Sequence, residues 1–279
     1  MKGVVNWEAV RRKVKFLPLV KAYPALSRRY GEVSCVAGLD MESMQWMRLY
    51  PVPFRSLEDA QQFRKYEPIR ATVQRPRDDR RPESWRVDAD SIEVVGPRLT
   101  AERGWEARRP FVEPGIAGSM CAIRRAQKSD GTSLRMFRPK EVLDFEIEAV
   151  EPDPEKSQQA ADWAAQGTLD ATEVQLQRKA LEQIPFRFLY RYRCADKECP
   201  THRQSIVDWE VAALYRNVRD RPNWRELMRS QWLDQMCGPD KDTAFIAGNQ
   251  HQHLDGFLIL GVWWPPRRDQ LSLVDSGDF

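Results

Sequence analysis

Histidine and cysteine are scarce in this chain of 279 residues, with three and five respectively. Five cysteines are too few for a disulfide-stapled scaffold, and nothing in the sequence marks an oxidising compartment. No apolar run approaches the roughly 20 residues that a membrane-spanning helix needs. The opening Met1-Lys2-Gly3-Val4-Val5 lacks the apolar region of a secretory signal. Gly115 and Gly118 stand close together, but no Gly-Lys-Ser/Thr follows them, which excludes a phosphate-binding P-loop. Net charge is only +3, so the chain as a whole is not a polycation. These absences leave a cytoplasmic protein of prokaryotic or phage type as the expectation.

What is present is a well-stocked globular chain. Hydrophobic residues make up 42% and charged residues 30%, enough for real cores under a solvated surface. The length allows two domains of ordinary size. Glu151-Pro152-Asp153-Pro154-Glu155 reads as a solvated boundary. It divides the sequence into residues 1–150, an acidic linker and helix over 151–182, and residues 183–279. Charge follows the same division. Residues 1–150 hold 28 Lys and Arg against 21 Asp and Glu, and residues 151–182 hold 3 against 7. An acidic excess argues against nucleic-acid contact by the linker piece, which could pack on the C-terminal domain or on another subunit.

The scarce ligands converge at one place. Cys194, Cys199 and His202 fall within nine positions, separated by the short polar loop Ala195-Asp196-Lys197-Glu198. A tight turn can bring two thiolates and an imidazole onto one tetrahedral Zn²⁺. The fourth ligand is not local, and His251, His253 and Cys237 are the candidates. The competing reading is a polar loop that holds no metal. Before it, Phe186-Arg187-Phe188-Leu189-Tyr190-Arg191-Tyr192-Arg193 alternates aromatic and basic residues, as a half-buried strand does. Residues 204–208 supply a second strand.

In the N-terminal half, Val33, Cys35 and Ala37 alternate as one strand and Trp46–Tyr50 as the next, joined by a hairpin over 40–45. Gly38 removes a side chain where a small barrel must bend. Phe54–Tyr66 spaces Leu57, Ala60, Phe63 and Tyr66 by threes and predicts a short helix. Strands are expected at 69–74, 91–97, 134–139 and 142–150. The loop Arg75-Pro76-Arg77-Asp78-Asp79-Arg80-Arg81-Pro82 ends near Trp85. Its arginines and that ring fit backbone contact and base stacking. The alternative is a loop whose acids neutralise its arginines.

Ser27, Gly31, Cys35, Val36, Ala37 and Gly38, followed by Trp46 and Arg48, resemble the opening of bacterial dual OB-fold-containing proteins. The resemblance spans about 30 residues. It departs at Leu49-Tyr50, which precede Pro51. It implies a small N-terminal β-barrel of OB character and carries no catalytic residue with it.

The expected architecture is therefore α+β, an OB-like barrel followed by an α+β domain with a zinc-knuckle-like loop. The leading functional expectation is nucleic-acid binding, to DNA or RNA. Arg48, Arg75, Arg77, Arg80, Arg81, Trp85, Tyr190, Arg191 and Arg193 would form the contact surface. Such a protein would serve as a recognition subunit of a bacterial defence or mobile-element machine. Two other readings stay open. Asp208 and Glu210, with Asp240 or Asp242, could hold Mg²⁺ as a nuclease site, or the chain could be a non-catalytic assembly subunit. Asp208 also sits where a helix N-cap belongs.

Overall fold

A computed structural model of the chain describes residues 11–268, apart from 28, 152, 156–157, 160–161 and 163–180. Most of the acidic helix expected over 157–183, and the chain beyond residue 268, lie outside the described residues. The fold is α+β, built on two sheets. No described helix is long and apolar enough to cross a membrane.

The first sheet contains β1 (Arg12–Lys21), β2 (Ala25–Ser27), β3 (Gly31–Asp40), β4 (Trp46–Val52), β5 (Ile69–Gln74) and β6 (Ser84–Val94). Its order is β1-β5-β6-β4-β3-β2, and β1 also pairs with β3. Five strands thus close into a barrel, with β2 added to the outside of β3. Every pairing is antiparallel except that of β4 with β6.

Side-chain alternation makes the barrel two-faced. Val14 and Phe16 of β1, Val36 of β3, and Met47 and Leu49 of β4 point inward and share one core with Ile69, Ala71 and Val73. Leu17 and Leu19 of β1, Ala37 and Leu39 of β3, and Trp46 of β4 point outward. On a free-standing barrel that outer face would meet water. Here it is buried, because Leu134, Met136, Ala244, Ile246 and Trp263 pack onto it from the second sheet.

That second sheet runs β7-β8-β12-β13-β11-β10-β9. Its strands are β7 (Ile116–Ala117), β8 (Leu134–Phe137), β9 (Glu141–Ala149), β10 (Phe186–Arg193), β11 (His202–Ile206), β12 (Ala244–Gln250) and β13 (His253–Trp263). Its other face carries a second aromatic core, including Phe145, Tyr190, Tyr192 and Phe245, under three helical pieces. These are α1 (Met120–Asp130), α2 (Trp209–Val218) and α3 (Trp224–Arg229), the last continuing as a π-helical segment, Ser230–Gln235.

Two sequence expectations need correction. Strands β8 and β9, expected to complete the barrel, pair with β12 and β10 instead. The two sheets therefore divide between Val94 and Ile116, not at residue 150. Phe54–Tyr66 is not a helix but two 3₁₀ turns, Phe54–Ser56 and Asp59–Gln61. The spacing of its apolar residues has another cause. Leu57 and Phe63 cap the open end of the barrel core, and Tyr66 takes a positive φ of 64° that no helix allows.

Candidate functional site

Four metal-ligating side chains meet beside the second sheet. Cys121 lies in the first turn of α1, which Ser119 caps by accepting from the Ala122 N–H at 3.0 Å. Cys194 follows the last residue of β10, and His202 opens β11; Tyr192 and His202 are paired across the two strands. Cys199 is held in the intervening knuckle, where its N–H donates to the Asp196 carbonyl at 3.2 Å. Asp196 is in turn clamped by Arg125, one turn beyond Cys121 on α1, at 2.7 Å. A single ion pair therefore ties the knuckle to the helix that brings the fourth ligand.

The ligand atoms of Cys121, Cys194, Cys199 and His202 all lie within 4.8 Å of one another. Cys194 Sγ is 3.4 Å from Cys121 Sγ and 3.5 Å from His202 Nε2. Thiolates on a tetrahedral zinc at 2.3 Å would be roughly 3.8 Å apart, so the set is close to that spacing. Cys194 and His202 are buried. Burial keeps the imidazole below its ordinary pKa, in the neutral form that ligates. Burial and the neighbouring Cys194 push the Cys121 thiol up to about 12, so without a cation its proton stays on. Three thiols and one imidazole in this arrangement could bind a metal ion such as zinc.

This corrects one expectation. His251 and His253 do not close the site. Both are exposed at the tip of the β12–β13 hairpin, with His251 Nδ1 3.5 Å from Asp79. Cys237 lies elsewhere too, directed at the Trp232 carbonyl. Neither Cys121's position nor its spacing marks it in the sequence; its place is visible only once α1 is laid against the knuckle.

Of the expected Mg²⁺ acids, Asp208 and Glu210 meet at one lysine, and Asp240 and Asp242 are engaged elsewhere. Asp208 is buried as the N-cap of α2, accepting from the Glu210 N–H, and both its oxygens accept from Lys65 Nζ at 2.9 and 2.7 Å. Glu210 pairs with the same lysine at 2.9 Å. Asp242 is engaged by Arg138, and Asp240 by Lys241. Among the described residues, the Cys/His cluster is the one grouping suited to a metal.

The expected nucleic-acid surface is redistributed. Tyr190 is fully buried, its hydroxyl donating to the Trp232 carbonyl at 2.6 Å. Arg191 and Arg193 lie on a ladder of ion pairs with Asp144, Glu146 and Glu141 of β9. Arg81 is clamped by Asp79 and donates to the Asn249 carbonyl. Arg75 donates to the Pro82 and Ser84 carbonyls and lies 3.9 Å from the centre of the Trp85 ring, over which Arg12 also sits at 4.4 Å. Arg77 and Arg80 are exposed. Arg48 is buried, because its outward position on β4 is covered by Ser133 and Asn249.

Of this set, Arg48, Arg81 and Trp85 line a cleft of about 710 Å³. Its barrel side is formed by β3 and β4, the connection from β1 to β3, and the Arg75–Glu83 loop between β5 and β6. Tyr30, Tyr50, Trp85 and Arg86 line that side, and Asn249 and His251 of the β12–β13 hairpin line the other. Tyr30 and Tyr50 meet edge to face, with centroids 6.3 Å apart. Both tyrosines were missed by the sequence reading. The signal was the alternation Trp46, Arg48, Tyr50 on one face of β4, which runs from the shared core to a half-exposed rim.

Two comparisons bear on identity. A family described as a domain of unknown function, DUF8757, matches residues 116–278. A second domain of unknown function, DUF8758, matches residues 12–114. No curated protein matches the chain.

Proposed function

We propose, from the premise that the chain belongs to the DUF8757 family, that it is a nucleic-acid-binding protein whose barrel is OB-like and whose Cys/His cluster holds a structural Zn²⁺. The observation that carries this reading is the position of the cleft. In order along the chain, the five barrel strands lie 1-4-5-3-2 and close back on 1, with the third and fifth parallel. That is the strand order of an OB fold. Such barrels bind oligonucleotides on the face of their second and third strands, between the 1–2 and 4–5 loops. The cleft occupies that same face and those same loops, and aromatic rings and arginines line it. Stacking rings and guanidinium groups are what a single strand asks of a protein.

The metal would act on the fold. Four protein ligands leave no open position for substrate, which is the pattern of a structural zinc site. The metal, on this reading, supports a recognition surface and takes no part in chemistry. On this reading the chain is a cytoplasmic subunit that brings DNA or RNA to other protein subunits, as a bacterial defence or mobile-element machine requires. Lys65 pairs with both Asp208 and Glu210, which disfavours the nuclease alternative without Asp240 or Asp242 beside them.

Fluorescence anisotropy against labelled single- and double-stranded DNA and RNA, at 50 and 200 mM salt, tests the reading. Salt-sensitive binding of at least one polymer is expected. Arg77→Ala and Arg80→Ala should each lower the salt slope by about 1 without changing stability. Absence of binding to all four polymers would remove the proposal.

A further inference from the structure

The inner end of the cleft holds a buried charge with no carboxylate hydrogen-bonded to it. Arg48 is 3% exposed, yet lines the cleft. Its guanidinium donates to Ser84 Oγ at 3.2 Å, Ser133 Oγ at 3.1 Å, the Ser133 carbonyl at 2.9 Å and the Asn249 carbonyl at 3.5 Å. All four acceptors are neutral. The other cleft arginines have acids of their own. Arg81 has Asp79 at 2.7 Å, and Arg86 has Asp78 at 3.5 Å. Glu83 stands one step behind Arg48, occupied by Ser133 and Arg135.

This placement is built. A Cβ on Gly248 would come within 2.9 Å of Arg48 Nη2 and 2.7 Å of Leu260 Cδ1, so a glycine there makes room for the guanidinium. Desolvating a cation without a carboxylate costs several kcal/mol, in order of magnitude. Neutral acceptors hold it in place without cancelling its charge, and an anion entering the cleft would.

The aromatic groups lie toward the mouth. Tyr50 is 40% exposed. Tyr30 stands edge-on to it, and its buried hydroxyl has no hydrogen-bond partner among the described residues. The walls between are apolar, with Val33, Pro51 and Leu258. A ligand matched to these features has a flat ring, a hydrogen-bond acceptor and a negative charge. The cleft volume falls in the range of small-molecule sites.

We infer that the cleft takes one nucleotide unit, its base against Tyr30 and Tyr50 and its phosphate toward Arg48. This rests on the nucleic-acid reading above and narrows it to an unpaired nucleotide. The hairpin distinguishes this site from an open barrel face, since Asn249 and His251 line it opposite the barrel.

Isothermal titration of the full chain with ribo- and deoxyribonucleoside 5′-monophosphates, the parent nucleosides and inorganic phosphate tests the inference. At least one monophosphate should bind at least tenfold more tightly than its nucleoside or phosphate alone. Arg48→Met should weaken it at least tenfold. Because Arg48 is buried and its replacement can unfold the chain, Tyr50→Ala at the exposed mouth provides a second variant with the same expected direction. Binding of inorganic phosphate alone, binding of no monophosphate, or a Tyr50→Ala chain with unchanged affinity would overturn the inference. Oligonucleotide binding that ignores Tyr50→Ala removes this inference and leaves the proposed function. Monophosphate binding without binding of any polymer does the reverse.

Discussion

Cys121 is the residue on which the candidate metal centre depends most visibly. It joins a knuckle 73 positions further along, and its thiol touches both Cys194 and His202. Purified chain should carry about one zinc per molecule by elemental analysis. Cys121→Ser should release most of it and lower the melting temperature, because metal affinity at a four-ligand site is folding free energy. His251→Ala and His253→Ala should leave zinc content unchanged. Full zinc in Cys121→Ser would show that the cluster is not the site. Three of the four ligands were legible, since Cys194, Cys199 and His202 are close in sequence and the loop between them is too short to do much else. The fourth was not. A single cysteine in the first turn of an amphipathic helix looks like any small core residue. Arg48 was misplaced for a related reason: alternation puts it outside the barrel, but sequence does not say that another sheet covers that outside.

Elements show the same contrast between local and distant causes. The β3–β4 hairpin, β5 and β10 follow from alternation and turn residues, and they stand where the pattern puts them. Gly38 was also legible as a position without room for a side chain, and the structure supplies the reason. A Cβ there would lie 2.0 Å from the Leu17 carbonyl, where β1 crosses β3 to close the barrel. Gly38→Ala must push the two strands apart. A loss of about 1–3 kcal/mol is expected, measured by urea unfolding, and a change within experimental error would mean that the closure is looser than described. Strands β8 and β9 were readable as strands but not as partners of β12 and β10. Pairing between strands distant in sequence, such as Phe137 with Phe245, leaves no mark on either segment alone. Likewise the three-residue spacing from Leu57 to Tyr66 is shared by a helix and by a lid of tight turns, and only the barrel beneath decides between them.

At the scale of the whole molecule, the two sheets are joined by more than apolar packing. The Tyr23 N–H donates to the Val207 carbonyl at 2.8 Å, and Lys65 bridges Asp208 and Glu210. Beside Lys65, Lys21 donates to the Phe63 carbonyl at 3.2 Å and sits 3.6 Å from the centre of the Phe54 ring. Burial, then the nearby Lys65 charge, lowers the Lys21 pKa from 10.5 to about 8. The unfolded chain keeps this proton up to its ordinary value, whereas the folded chain releases it earlier. Folding at this site is therefore penalised below pH 8, and the penalty is relieved as pH rises from 8 to 10.5. Lys65 acts in the opposite sense, and only above 10.5, because Asp208 and Glu210 hold its proton more firmly than water does. Relative to Lys21→Met, the natural chain should gain about 1 kcal/mol between pH 7.5 and 9.5 once solvent screening is allowed for. A difference that does not move with pH would place Lys21 outside the seam.

The shared core has a further consequence in time. Leu17 and Leu19 are among the earliest described residues to leave a ribosome, and Trp263, which packs in the same cluster, is among the last. The wall of the cleft that carries Asn249 and His251 is made after every strand of the barrel. A chain still being translated thus has its barrel pattern complete while its outer apolar face waits for β12 and β13. The cleft is complete only once the β12–β13 hairpin is made, and a truncation that removes this hairpin would expose a sticky barrel with half a cleft.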